Sequence, residues 1–372
     1  MKMKAAVYYG PGDIRIEEIE RPKAGDKGMV LRVRACGICP VIDIPHYRMS
    51  FPTVDVPPRY QTKTSVQPPI VLGHEFSGDV VEVGSEVTVV TVGDRVYGVA
   101  YSPCGICEAC QAKDFERCPF IDGAGRVANG AMAEYILFPN VTYPSVVDDK
   151  LIKLPDNISY RDGALLEPLR LGLGMGRKAK ADDVAVVLGQ EVMGLGAVVS
   201  LKEIGVSKVI VSDVSKKRLQ LSKGAGADVV VDALNDDIFK VVMEETSGKG
   251  ANIVIEASCR PESLQQAVNV LGPFGTIWLG TFYTAGPFFD PSWQAPRMIS
   301  MNLTQKPGIS IRNTWGTLGP WMPVLRHAVE IIQSGKITAD KCVSHVFTLN
   351  KIREAFETAM NTHESIKVMI EP

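Results

Sequence analysis

Four cysteines crowd one short stretch of the chain, Cys104-Gly-Ile-Cys107-Glu-Ala-Cys110 and then Cys118. Four thiolates at this spacing can wrap a tetrahedral zinc, and a shell of four sulfurs leaves no position for a substrate. The chemistry they offer is structural, a metal that clips a lobe spanning about residues 100–120. The other cysteines stand at 36, 39, 259 and 342, outside this cluster. A tight cluster in a long chain without an export signal reads as metal-binding and not as a disulfide framework.

A sparser set lies in Gly37-Ile38-Cys39, Gly73-His74-Glu75 and Glu167-Pro168. A thiolate, an imidazole and a carboxylate from three separated segments could hold a catalytic zinc, which needs three protein ligands and one position left open. Taken singly, each has an ordinary reading, since a cysteine or histidine in a β domain usually packs and a glutamate is usually solvated.

A third signal runs through 184–188 into Gly189-Gln190-Glu191-Val192-Met193-Gly194, and nineteen residues after Gly194 comes Asp213. A strand that enters a glycine turn and a helix is the context of a dinucleotide seat, with the helix N-terminus toward a diphosphate. Gly189, Val192, Met193 and Gly194 would form the turn, and Asp213 would accept from the ribose hydroxyls and favour NAD. Arg218 could partly offset that preference. The middle glycine of the Gly-x-Gly-x-x-Gly fingerprint is replaced by Glu191. Two unit charges ~4 Å apart at an effective dielectric of ~20 interact by about 4 kcal/mol, so the expectation is that Glu191 repels the diphosphate and weakens or displaces NAD. In a second reading Gly189 and Gly194 serve strand–helix packing alone.

The elements that must position these residues fall into two patterns. Short strands are expected at 4–9, 30–35, 76–83, 88–90, 94–97 and 133–137, punctuated by Gly and Pro, which makes a β-rich first domain. A Pro-rich excursion at 49–69 carries five prolines and reads as a surface loop. From about residue 157, strands at 184–188, 209–212, 228–231, 253–256 and 276–279 alternate with helices at 192–204, 216–224, 237–247 and 261–271. Repeated βα units predict an α/β fold with a doubly wound parallel sheet of Rossmann type. The alternation is expected to stop after Gly280; helices follow near 323–334 and 349–360, and the last segment returns to the first domain. The division expected is 1–156, 157–297 and 298–372.

With 372 residues, 45% hydrophobic and 22% charged, the composition is that of a folded globular chain. A net charge of −2 without a block of like charges gives no reason to expect a nucleic-acid or membrane partner. No signal peptide or apolar span is legible, so a cytoplasmic protein is expected.

Taken together these residues resemble the zinc-dependent medium-chain alcohol dehydrogenase family over essentially the whole chain. The resemblance rests on the order Gly37-Ile38-Cys39, Gly73-His74-Glu75, the four cysteines from 104 to 118, Gly130-Ala-Met-Ala-Glu134-Tyr135, Leu166-Glu167-Pro168, the glycine turn, Asp213 and Gly275-Thr276-Ile277. Glu167 and the insert before Pro69 look like the polyol branch, which includes sorbitol, threonine and 2,3-butanediol dehydrogenases. The resemblance implies a GroES-like catalytic domain, one structural and one catalytic zinc, NAD, a small-molecule substrate and a homo-oligomer, dimer or tetramer. By it Cys39, His74 and Glu167 would hold the catalytic zinc, with Glu75 at or just outside its ligands and Cys36 a packed thiol. Relatives start a proton relay with Ser or Thr two residues after the ligand cysteine. The run Cys39-Pro40-Val41-Ile42-Asp43-Ile44-Pro45-His46 has no hydroxyl there, so Asp43 and His46 would have to substitute through water.

The leading expectation is a zinc enzyme passing hydride between NAD and a secondary alcohol, diol or cyclic alcohol, with Phe282, Tyr283, Trp293 and Trp315 lining an apolar pocket. Two alternatives stand beside it. One is a zinc enzyme of the same fold doing hydration, elimination or hydrolysis; the other is a non-catalytic binding protein on the same scaffold.

Overall fold

The computed structural model describes residues 1–48, 68–98, 101–102, 107–112, 122–125, 128–142, 151–258, 260–280, 306–313 and 321–372. A charge-alternating run, Asp13–Glu20, turns back on Lys2–Gly10 through Pro11-Gly12, and the hairpin takes Ile70–Val71 on its other side. The Asp13–Glu20 strand is absent from the sequence expectation because its acidic and basic residues hide the inward Ile14. The larger sheet of the first domain runs Leu151–Lys153, Arg95–Gly98, Glu75–Val83, Met29–Gly37, Lys367–Glu371, Val343–Thr348, with Tyr135–Phe138 also on Met29–Gly37. The C-terminal strand Lys367–Glu371 thus sits inside the first domain's sheet, antiparallel to Met29–Gly37 and parallel to Val343–Thr348. The expected return of the chain is therefore observed, by β-pairing. Residues 88–90, expected as a strand, have no strand structure, although Val90 is buried.

The second sheet has six parallel strands in the order Val229–Asp232, Lys208–Asp213, Val184–Leu188, Ala251–Glu256, Leu271–Leu279, Ser310–Asn313. Val184–Leu188 reads as one apolar run because a strand covered on both faces has no solvent side to alternate with. Strand order reverses at this central strand, and the carboxyl ends there, with Gly189 and Asp213, are where α/β sheets place ligands. The expectation that the pattern ends after Gly280 is corrected: Ser310–Asn313 completes the sheet from beyond it.

The helix Tyr160–Gly176 links the two sheets. It is capped by a Ser159/Asp162 capping box and is apolar nearly all round, as a helix buried on every side must be. A Cβ on Gly172 would come 1.9 Å from the Met193 carbonyl oxygen, so glycine there lets the fingerprint helix Val192–Ile204 lie backbone to backbone. The late helix Trp321–Gln333 closes the same core, with Val324, Leu325 and Ala328 in one cluster with Leu165 and Leu169. Among the described residues no helix is long and apolar enough to cross a membrane.

Gly172→Ala is expected to cost about 1–3 kcal/mol by overpacking. Gly224→Ala, at a helix end where the new methyl meets nothing within 4 Å, should be neutral or stabilising by up to about 1 kcal/mol. Denaturant unfolding of the two variants checks the pair.

Candidate metal centre and dinucleotide seat

Cys39 follows the strand Met29–Gly37 and is held by the short helix Asp43–Arg48. The Cys39 amide donates to Asp43 Oδ2 at 2.9 Å, and the Asp43 amide donates back to the Cys39 carbonyl at 3.0 Å. The other Asp43 oxygen lies 3.8 Å from His74 Nδ1, so this buried carboxylate sits between two elements of the site. Glu75 opens the strand Glu75–Val83 and pairs in register with Gly37. A Cβ on Gly37 would lie 2.3 Å from Glu75 Oε2, so the glycine before Cys39 leaves room for that carboxylate.

One ligand atom from each of Cys39, His74 and Glu75 lies within 4.8 Å of the others, and all three residues are buried. Tetrahedral zinc ligands at ~2.0–2.3 Å stand about 3.4–3.8 Å apart, so small rotamer changes would close the trio on a metal. Glu167 lies outside this grouping. Its Oε1 accepts from Arg170 Nη2 at 3.2 Å, and Arg170 Nε donates to the Tyr97 hydroxyl at 3.2 Å. Glu167 is nonetheless near enough to act electrostatically on Cys39 and Glu75.

A residue that the sequence reading passed over sits at the centre of the site. Lys367 Nζ is 2.6 Å from Glu75 Oε2 and 2.9 Å from Glu191 Oε1, with its side chain 1% exposed. Burial alone would depress the lysine, but the Glu191 and Glu75 carboxylates outweigh it and hold the ammonium above its ordinary range. Burial pushes Glu75 up to about 8, with Lys367 pulling the other way. Burial, then Glu75 and Asp43, push the Cys39 thiol well above its usual value. Four buried carboxylates, Asp43, Glu75, Glu167 and Glu191, thus meet two buried cations, Lys367 and Arg170. With all four carboxylates ionised the excess would be two negative charges, which, beside a soft sulfur and an imidazole, fits a divalent zinc.

At the candidate dinucleotide seat three side chains have partners within the chain. Glu191 is the N-cap of the fingerprint helix, with an extended backbone (φ −74°, ψ −175°), but its side chain makes no capping bond and runs to Lys367. The expected repulsion is corrected, because the carboxylate is buried against a cation. Asp213 is buried and already accepts from the Gln190 amide at 2.7 Å and the Ser215 amide at 2.8 Å, so it pins the glycine turn as well as ending its strand. Arg218 donates to the carbonyls of Ser365 and Ile366 at 3.1 Å each and so is committed to the C-terminal segment. Gly189 takes φ +88° against the Ser258 backbone, and a Cβ on Gly194 would come 2.0 Å from the Gly189 carbonyl oxygen. The turn is thus a cradle that side chains would fill, and with Glu191 withdrawn it fits a diphosphate.

Val192 and Met193 begin the fingerprint helix and are buried. The His46 ring is buried, and its Nδ1 lies 2.5 Å from the Ile42 carbonyl. That carbonyl can only accept, so Nδ1 carries the hydrogen and Nε2 is the basic nitrogen. Cys36 is a buried free thiol, and Cys107 is a half-buried one. Cys104, Cys118, the side chain of Cys110, and Phe282, Tyr283, Trp293 and Trp315 lie outside the described residues. Lys367 and Arg170 did have a signal: Lys367 is the one charge in the apolar run Ile366–Ile370, and Arg170 shares the apolar stretch 163–176 with Glu167 alone.

Residues 25–148 match the alcohol dehydrogenase GroES-like domain, and residues 192–327 match the zinc-binding dehydrogenase family. D-arabitol-phosphate dehydrogenase of Enterococcus avium is 32% identical, covering 99% of this chain and 97% of the relative. (R,R)-butanediol dehydrogenase of Bacillus subtilis is 30% identical over the full length of both. The chain belongs to the zinc-dependent medium-chain dehydrogenase family. The crystal structure of 2R,3R-butanediol dehydrogenase from Bacillus subtilis superposes with a TM-score of 0.73 at 28% identity, covering 100% of this chain and 99% of that one. That breadth places both sheets and the linking helix within the family's common architecture.

In the metal-free protein the folded chain holds the Glu75 proton more tightly than the unfolded chain does. Stability should therefore fall as pH rises from the ordinary carboxylate range toward about 8. A zinc held by this trio would displace the Glu75 and Cys39 protons, so its affinity should rise with pH over that window, with proton release. Calorimetric zinc titrations in buffers of different ionisation enthalpy read the release directly; a binding heat independent of buffer would contradict this arrangement.

Proposed function

We propose that the chain is an NAD-linked zinc dehydrogenase that oxidises a secondary alcohol, diol or polyol to the ketone. The observation that carries the reading is the buried Cys39–His74–Glu75 trio, in excess negative charge and joined through Lys367 to the loop that opens the dinucleotide seat. Relatives named for arabitol phosphate and butanediol support a vicinally hydroxylated substrate.

Cys39, His74 and Glu75 would hold the catalytic zinc, with Glu167 as a second carboxylate kept at hand by Arg170. When bound, zinc supplies a Lewis acid that makes an alcohol acidic near neutral pH. Asp43 fixes the Cys39 backbone and stands beside the His74 imidazole, which sets the orientation of two ligands at once. His46, with Nε2 basic, is the residue suited to take a proton outward by way of water, in place of the hydroxyl absent from 40–42. Gly189 and Gly194 let the diphosphate approach the turn, and Asp213 holds that turn rigid.

The same reading includes a structural zinc on Cys104, Cys107, Cys110 and Cys118, supported by their spacing. It also includes a catalytic domain of 1–156 with the returning segment, a dinucleotide domain from 157, a homo-oligomer and a cytoplasmic location. The non-redox alternative drew its force from the carboxylate in the phosphate turn and from the missing relay hydroxyl at 40–42; the Glu191–Lys367 pair speaks against the first ground, and His46 offers a substitute for the second.

The test is NADH formation on a panel of diols and polyols with zinc-loaded protein. Glu167→Ala should lower kcat/KM about 10–100-fold, and Cys39→Ser should lose one zinc per chain together with activity. A chain that binds neither NAD nor NADH at millimolar concentration is not a dehydrogenase of this kind.

A further inference from the structure

We propose that Lys367 is a positioning residue that draws the Glu191 carboxylate out of the dinucleotide seat, which is what lets this chain carry glutamate at the fingerprint's middle glycine. The inference rests on the dehydrogenase reading and names the residue on which cofactor binding depends.

Three observations point the same way. Glu191 is the N-cap residue, and a side chain at that position normally turns onto the amides of the helix's first turn; here it makes no such bond. Its Oε1 is instead 2.9 Å from Lys367 Nζ and buried. The backbone at Glu191 is extended, a conformation open to any residue, so the chain itself does not require glycine. What the fingerprint loses with its glycine is an uncharged, unobstructed approach to the helix N-terminus, and the pairing with Lys367 restores it.

The lysine is placed for this by tertiary structure. Its strand lies beside Met29–Gly37, and a Cβ on Gly37 would come 3.0 Å from the lysine's Cε. Glu75 fixes the ammonium from the metal side at 2.6 Å. The two carboxylates flank the ammonium as ion pairs, Glu75 at 2.6 Å and Glu191 at 2.9 Å. Without Lys367, the Glu191 carboxylate would be left without its counter-charge, and its nearest relief would be the amides at the helix N-terminus, the place a diphosphate needs.

The test is a double-mutant cycle on NADH affinity, read by fluorescence titration of the zinc-loaded protein, with zinc content and melting temperature recorded for each variant. Lys367→Met is expected to weaken NADH binding at least tenfold. The same substitution in a Glu191→Gln background should weaken it less than threefold, because no carboxylate is then released. Equal losses in both backgrounds would mean that Lys367 serves the nucleotide or the metal directly, and no loss in either would mean that Glu191 never obstructs; each result overturns the inference while leaving the dehydrogenase reading intact. Should Lys367→Met fail to fold, Glu191→Asp carries the test, since its shorter side chain keeps the charge and loses the reach. Its NADH dissociation constant should exceed that of Glu191→Gln at least threefold, and equal constants overturn the inference. A wild-type chain that binds no NADH at millimolar concentration overturns the dehydrogenase reading, and this inference with it.

Discussion

A carboxylate taken out of water needs a counter-charge within reach, because the penalty for burying an unpaired ion exceeds what most single contacts return. That constraint organises the centre of this molecule. Asp43, Glu75, Glu167 and Glu191 are all buried there, and among the described residues Lys367 and Arg170 are the cations paired with them. Arg170 restrains Glu167 from three residues along the same helix, and Lys367 joins Glu75 to Glu191 across elements. The remaining negative charge is what a divalent metal would neutralise, so ligand chemistry and the electrostatics of folding make the same demand.

The return of the chain end is what places Lys367. The C-terminal strand enters the first sheet between Met29–Gly37 and Val343–Thr348, and its first residue delivers the ammonium to the meeting point of the two sheets. Arg218 secures the approach by donating to the carbonyls just before that strand. On the opposite side, Gly172 allows the linking helix to touch the fingerprint helix backbone to backbone, which brings Glu167 and Glu191 into one buried volume. Metal trio and phosphate turn are thereby parts of a single charge cluster.

Much of the fold was legible because local rules agree with one another along this chain. The fingerprint helix begins at Val192 and ends at Ile204 as periodicity and the glycines imply, and the apolar run 184–188 is the central strand. Where local rules conflict, reading failed. Asp13–Glu20 hides a strand behind charges that face solvent, and Ser310–Asn313 joins a sheet whose βα rhythm had ended. In the site, Cys39, His74 and Glu75 were visible as residue types, but which carboxylate stands nearest the other two was not. That choice follows from the register that sets Glu75 opposite Gly37 and from the arginine that detains Glu167.

The amino-acid sequence by itself determined the two kinds of sheet, the glycine turn, the pool of metal-binding side chains and the family, since these depend on periodicity, backbone freedom and residue chemistry within short stretches. Tertiary structure alone decided where each charge points. Glu191 reads as an intruder in a phosphate loop until a lysine from the far end of the chain is folded against it. Electrostatic energy depends on distance through space and on exclusion of water, and neither quantity is written in the order of residues.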